Sequence, residues 1–251
     1  MATRVARIVG LATRNPRALV GRFKYVLILS HMRAYTSLLA HILGSHPEVS
    51  GYFELHQSYR RPLDLLRMRV RVARGLDGAL RGTYVLDKIL HSRHRVGARI
   101  LDRENVFTIF MARRPLGTLR SCLGVPRFAS NPDAAARYYV ERLTSLAAAA
   151  TVPRHRLYLD AEALLENTEP VLESLRDYLG LRQALSPTYS TFKFTGVRGY
   201  GDRSESIMRG VIVKGSVEGP PVEVPSDALR QAEAAFSAAR RALMQNCRPC
   251  G

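Results

Sequence analysis

Three cysteines in 251 residues, Cys122, Cys247 and Cys250, are too few for a disulfide scaffold, and the odd count points to reduced thiols. The last two form a lone Cys247-Arg-Pro-Cys250 without a second ligand pair, so the stretch reads as an indifferent tail rather than a zinc site. Nor does it open a helix after a strand, the setting that a redox pair needs. No run approaches the roughly 20 apolar residues of a membrane span, and Arg4, Arg7 and Arg14 interrupt any signal-peptide core, so a cytoplasmic location is expected. The GxxxxGK[ST] spacing of P-loop nucleoside triphosphatases is missing. Acidic residues are scarce, 21 against 38 basic ones, and Lys24, Lys88, Lys193 and Lys214 are the only lysines. The resulting net charge of +17 asks for an anionic partner: a nucleotide cofactor, an anionic acceptor, a membrane surface or nucleic acid.

What is present is one generous core's worth of alternating strands and helices. Apolar runs predict strands over 25–29, 83–86, 106–112 and 155–159. Helices are expected over 36–44, 60–74, 94–101, 131–150, 168–179 and 227–245, with Pro115 opening another. Strands alternating with helices imply an α/β fold: a single domain with a central, mostly parallel sheet flanked by helices and ligands at the carboxyl ends of the strands. Residues 1–24 read as a basic N-terminal arm and 25–251 as the domain. Within it, 185–224 is rich in Gly, Pro, Ser and Thr and reads as a lid or functional loop.

Two segments carry anion chemistry. The strand Tyr25–Leu29 opens into Ser30-His-Met-Arg33-Ala34-Tyr35-Thr36-Ser37, which reads as strand, anion loop and helix, with backbone N–H groups and the positive end of a helix dipole aimed at one spot. The strand Val106–Ala112 ends at Arg113-Arg-Pro115, and Ser121 follows eight residues after Arg113. An arginine leaving a strand end and a serine further along the next helix can grip one phosphate with a guanidinium and a hydroxyl. His56, two residues after Glu54, would share its face on a strand and has an ordinary pKa suited to proton transfer.

Arg33-x-x-Thr36-Ser37-Leu38-Leu39 followed by His46-Pro47-Glu-Val49 resembles the 5'-phosphosulfate loop of sulfotransferases that use 3'-phosphoadenosine 5'-phosphosulfate (PAPS). Their usual wording is R-S-G-[ST]-[ST]-L-L, then H-P-x-V, and Ala34-Tyr35 stands here where Ser-Gly is usual. The Arg113-x-Pro115 to Ser121 spacing resembles the same family's 3'-phosphate site. Gly51-Tyr-Phe-Glu54 is similar to the segment bearing the acceptor-activating Glu in tyrosylprotein and several bacterial sulfotransferases, and Asp87-Lys88-Ile-Leu-His91 to their K-x-P segment with Leu90 for Pro. Arg156 to Asp160, Glu162 to Leu164 and Leu172 to Leu181 look like the family's late strand and helix pair. Gly201 to Gly210 looks like its nucleotide-closing loop.

The resemblance implies a P-loop-like sulfotransferase fold and a PAPS-dependent transferase whose product is 3'-phosphoadenosine 5'-phosphate (PAP). Arg33, Ala34, Tyr35, Thr36, Ser37 and Leu38 would hold the 5' end of the donor, and Arg113 and Ser121 its 3'-phosphate. Arg209 and Gly210 would close over the nucleotide. Glu54 or His56 would take the acceptor's proton, and Lys88 would stabilise the transferring sulfonate beside Arg33. The transfer requires no metal. The expected acceptor is a hydroxyl, less readily an amine, of a small metabolite, glycan or lipid, with peripheral contact to an anionic membrane compatible with the charge and nucleic acid disfavoured. Tyr59, Phe128, Tyr138, Tyr139 and Tyr189 read as core or surface filler more readily than as an acceptor pocket. Two alternatives stay open. One is a kinase-like ATP-dependent transferase with Asp160 as metal ligand; the other is a non-catalytic basic module using the arginine-rich helix around Arg67, Arg69, Arg71 and Arg74.

Overall fold

Six parallel strands run in the spatial order β2-β3-β1-β4-β5-β6 in the computed structural model: β1 Lys24–Leu29, β2 Val49–Ser50, β3 Tyr84–Ile89, β4 Val106–Ala112, β5 His155–Asp160 and β6 Arg248–Pro249. The structure describes residues 16–76, 80–129, 131–202, 204–214 and 223–250. Most of the basic arm (1–15), Arg203 and part of the lid segment (215–222) lie outside them. Ten helices connect the described strands: α1 Pro16–Val20, α2 Thr36–Ser45, α3 Pro62–Gly75, α4 Ala98–Leu101, α5 Pro115–Leu123, α6 Pro132–Ala149, α7 Ala163–Glu166, α8 Thr168–Leu179, α9 Glu205–Met208 and α10 Ser226–Asn246. The expected single α/β domain with a parallel sheet is what forms.

The sheet is covered on both faces, so its strands read as nearly continuous apolar runs. Alternation along β1 sends Tyr25, Leu27 and Leu29 into one core layer and Val26 and Ile28 into the other. Residues of α3, α6 and α10 fill the first layer, and those of α2 and α8 the second. Tyr59, Phe128, Tyr138, Tyr139 and Tyr189 are all buried, as filler should be.

Several elements differ from the sequence expectation. The third strand runs to Ile89, three residues beyond 86, because Asp87 and Lys88 sit inside it fully buried, an arrangement no hydropathy pattern announces. The helix expected over 94–101 is only one turn, since a turn from His91 to His94 and a bridge between Tyr59 and Val96 take up the preceding residues. The C-terminal tail is not indifferent: Arg248–Pro249 pairs with Leu157 and Tyr158 as an edge strand, with Cys247 and Cys250 buried on either side. The basic face of α3 is only partly solvated. Arg69 donates to the carbonyls of Gly21 and Leu19, and Arg71 donates to Gln57 Oε1. The described end of the arm is thereby docked, with Ala18 and Phe23 in the core. No helix among the described residues is long and apolar enough to cross a membrane.

Strand order reverses between β1 and β4, and at such a switch point the chains leaving two neighbouring carboxyl ends diverge and open a crevice. Leu29 lies beside Ile89 on one side and Phe110 on the other. The loops after β1, β3 and β4 therefore emerge together.

Candidate active site

The loop between β1 and α2 is built on two left-handed residues, Arg33 (φ 65°) and Tyr35 (φ 55°). Tyr35 thus holds the backbone conformation that glycine commonly supplies at this point, at the cost attached to a Cβ in that region. Its ring is held from outside: the Arg113 guanidinium lies 4.3 Å from the ring centroid. Helix α2 starts at Thr36 and no side chain caps it, Tyr35 being the N-cap. Its first-turn amides and dipole therefore point into the crevice, a setting suited to an anionic oxygen.

Arg33 and Arg113 come to one side of the molecule. Arg33 Nε donates to Ser121 Oγ at 2.6 Å, and Arg113 Nη1 donates to the carbonyl of Arg33 at 3.1 Å. Ser121, which the spacing sets with Arg113 on one phosphate, hydrogen-bonds Arg33 in this structure. Gly117 makes room for Arg113: a Cβ there would stand 2.9 Å from Nη2. The two arginines, the serine and the start of α2 form one constellation.

On the other side of the loop, Lys88 Nζ donates to Ser37 Oγ at 3.1 Å. Burial holds the Lys88 amine below its ordinary pKa, against the opposing pull of Glu54, Asp87 and Asp202. Its neighbour Asp87 points to the opposite face and accepts from the amides of Leu55 and Lys88 and from Tyr59 Oη. Burial pushes the Asp87 carboxyl up to about 7 despite these bonds. By gripping Leu55, Asp87 fixes the segment that carries Glu54.

Glu54 is 6% exposed. Burial raises its carboxyl pKa, but the neighbouring His56, Lys88 and His91 lower it by more, so it stays below the ordinary carboxylate value and ionised at neutral pH. His56 Nδ1 stands 3.2 Å from Glu54 Oε1, and His91 Nε2 3.5 Å from the same oxygen. No strand holds Glu54 and His56 on one face, contrary to expectation. His56 instead adopts φ 50°, and that left-handed turn folds its ring back to Glu54 while Nε2 meets the Gly199 carbonyl at 2.7 Å.

Residues 192–202 pack over this cluster, where the Glu54 amide donates to the Tyr200 carbonyl. Phe194 stacks on Tyr200 with centroids 4.2 Å apart, and Phe192 on Tyr52 at 4.3 Å. The amide of Asp202 donates to Ser37 Oγ at 3.0 Å, and its carboxylate lies 3.4 Å from Arg33 Nη1. Gly201 (φ 151°) passes so close that a Cβ would be 2.9 Å from Ser37 Oγ and 3.2 Å from Lys88 Nζ. The contacts with the anion loop thus come from residues just ahead of Arg209 and Gly210. Arg209 is exposed at the end of α9, and the Gly210 carbonyl accepts from the amide of Tyr189. Ala34 is buried in the sheet-facing core and Leu38 packs against it, so within the loop the polar work falls to Arg33, Thr36, Ser37 and backbone.

His31 and Arg142, which the sequence reading passed over, and Tyr138 and Tyr139, which it read as filler, hold the loops together. His31, fully buried, donates from Nδ1 to the Met32 carbonyl at 2.9 Å and accepts the Arg113 amide at Nε2, 3.0 Å. That makes it the neutral tautomer, and burial lowers its pKa to about 4. Arg142, 5% exposed, donates to the carbonyls of Ser30 and Ile89, and Tyr138 Oη accepts the Met32 amide and donates to Leu90. Tyr139 Oη donates to the Arg113 carbonyl at 2.6 Å. Helix α6 therefore clamps the exits of three strands. The signal available was an arginine at i+4 from Tyr138 on an otherwise apolar face. Asp160, the metal ligand of the kinase-like alternative, is engaged by both Nε and Nη2 of Arg240.

The six-stranded parallel sheet flanked by helices matches the P-loop-like sulfotransferase fold. Among solved structures the chain is similar to the sulfotransferase domain of the olefin synthase from Synechococcus PCC 7002, with a TM-score of 0.55 and 19% identity over 85% of this chain and 94% of that one. At that identity the likeness speaks for the fold. No protein-family profile matches the chain, and no curated protein does.

Proposed function

We propose that this protein is a sulfotransferase that moves a sulfuryl group from PAPS to a hydroxyl of a small metabolite, glycan or lipid. The observation that carries the reading is the convergence of Arg33, Arg113 and Ser121 with the uncapped start of α2 in one crevice, with Lys88 and Glu54 at its edge. A donor with a negative group at each end of an adenosine needs two such anion sites close together. Arg113, freed from the Tyr35 ring, is suited to the 3'-phosphate. Arg33, Thr36 and Ser37 are suited to the 5' end.

In the transfer, the acceptor oxygen bonds to sulfur while the bond from sulfur to the phosphate oxygen breaks, and PAP leaves. Arg33 and the α2 dipole stabilise the charge that grows on the leaving phosphate, and Lys88 the equatorial sulfonate oxygens. Glu54, ionised and shielded from water, receives the acceptor's proton. Asp87 and His56 keep its carboxylate in place. The transfer itself uses no metal. We further propose a cytoplasmic location with peripheral contact to anionic membrane, on the strength of the net charge of +17.

The test is calorimetric titration with PAP and, separately, with ATP and magnesium. Tight binding of PAP and weak binding of ATP is the expected result, and the reverse preference would favour the kinase-like alternative. A labelled-sulfate screen of hydroxyl acceptors then addresses the substrate.

A further inference from the structure

Glu54, His56 and His91 present one ligand atom each within 4.8 Å of one another. Glu54 Oε1 and His56 Nδ1 are both buried atoms without a well-aligned hydrogen-bond partner, although Glu54 is 6% exposed. A carboxylate oxygen and two imidazoles set this close together cost free energy unless a proton or a cation lies between them. The two separations from the carboxylate oxygen match a cation. Zinc bonds of about 2.0–2.1 Å at tetrahedral angles put neighbouring ligand atoms about 3.3–3.4 Å apart. The distances from Glu54 Oε1 are 3.2 Å to His56 Nδ1 and 3.5 Å to His91 Nε2.

We propose that Glu54, His56 and His91 form a binding site for one divalent transition-metal ion of the zinc type. Two imidazoles with one carboxylate favour such an ion over magnesium or calcium, which take oxygen ligands. The outer surroundings fit as well. His56 turns its other nitrogen to the Gly199 carbonyl at 2.7 Å, the partner that orients a metal-bound imidazole and leaves Nδ1 free to ligate. The His56 and His91 side chains are 32% and 17% exposed, so an ion can arrive from solvent. His94 lies nearby, its ring 6.0 Å from that of His56 and 6.4 Å from that of His91, and that ring or water would complete the coordination. Lys88, beside Ser37, and exposed Arg93 weaken the site electrostatically, so reversible rather than structural binding is expected.

One consequence rests on the sulfotransferase reading: an ion on Glu54 removes the proton acceptor, so zinc inhibits turnover and a chelator restores it. The binding itself does not depend on that reading. The chelator-treated full chain is titrated with Co2+, followed by its visible d–d absorption, and with Zn2+ in competition. One equivalent of tetrahedral character is expected, with affinity lower by at least roughly 100-fold in His56→Ala and in His91→Ala. Thermal melts confirm that both variants are folded, and PAP affinity is measured in the same samples. No cobalt band, or binding unchanged in both folded variants, overturns the site. Binding with turnover unaffected by zinc overturns the inhibition. Zinc binding without PAP binding removes the sulfotransferase reading and leaves the metal site standing, and the opposite pair of results does the reverse.

Discussion

His31 joins the two anion loops, and its protonation should loosen both. The ring donates to Met32 of the first loop and accepts from the Arg113 amide of the second, and only the neutral form can do both. Its folded pKa is lowered to about 4 from an ordinary value of 6.5, burial being the main cause. The unfolded chain therefore takes up the proton first as pH falls. The stability that His31 contributes is complete above pH 6.5 and is lost between there and about pH 4. Linkage gives a loss of about 1.4 kcal/mol by pH 5.5 and about 3 kcal/mol by pH 4. His31→Gln cannot titrate, and at pH 7 it should cost about 1–3 kcal/mol through the imperfectly replaced buried hydrogen bonds. Urea denaturation of both proteins across pH 4–7.5 isolates the ring, because the titration of other groups cancels in the difference. The parent's advantage should shrink as the pH drops and reverse at the acid end, whereas PAP affinity of the parent should fall only as the pH nears 4, where the folded ring itself takes up the proton. A stability difference that stays flat between pH 6.5 and 4.5 would refute the neutral, doubly bonded ring.

Arg113→Ala removes charge-assisted bonds of roughly 1.5–3 kcal/mol, so PAP binding measured by calorimetry should weaken by about 10- to 150-fold; unchanged affinity would count against its phosphate role. Glu54→Gln keeps shape and should leave PAP affinity near normal while lowering turnover by about 100-fold or more. If turnover survives in Glu54→Gln and disappears in His56→Ala, the base is His56. Asp202→Asn withdraws the carboxylate that Arg33 meets at 3.4 Å, and since that pair is about a third exposed the gain is modest: PAP should bind up to about 5-fold more tightly at low salt. Weaker binding would show that Asp202 orders Arg33 rather than competing for it.

Pattern and spacing sufficed for the features that depend on local chemistry. Apolar runs marked four of the strands because a sheet covered on both faces needs continuous apolar strands. Arg33 and Arg113 were legible because a residue shortly past a strand end projects into the crevice whatever the rest of the chain does. The edge strand Arg248–Pro249 and the length of β3 were not legible, since one is two residues long and the other buries an aspartate and a lysine.

Which groups meet was decided by distance contacts and by backbone turns that no periodicity encodes. The left-handed turn at His56 and the lid carbonyl of Gly199 put its ring beside Glu54, and the chain returning through β3 added His91. The hydrogen bond from Arg33, itself a left-handed residue, to Ser121 joins the loop after β1 to α5. Residues 31, 113, 138, 139 and 142 became one polar scaffold only because burying the strand exits obliges every carbonyl and amide there to find a partner. Composition and order thus decided that arginines follow two strands of a parallel sheet, while the requirement to satisfy buried polar groups across the fold decided how the side chains around them are aimed.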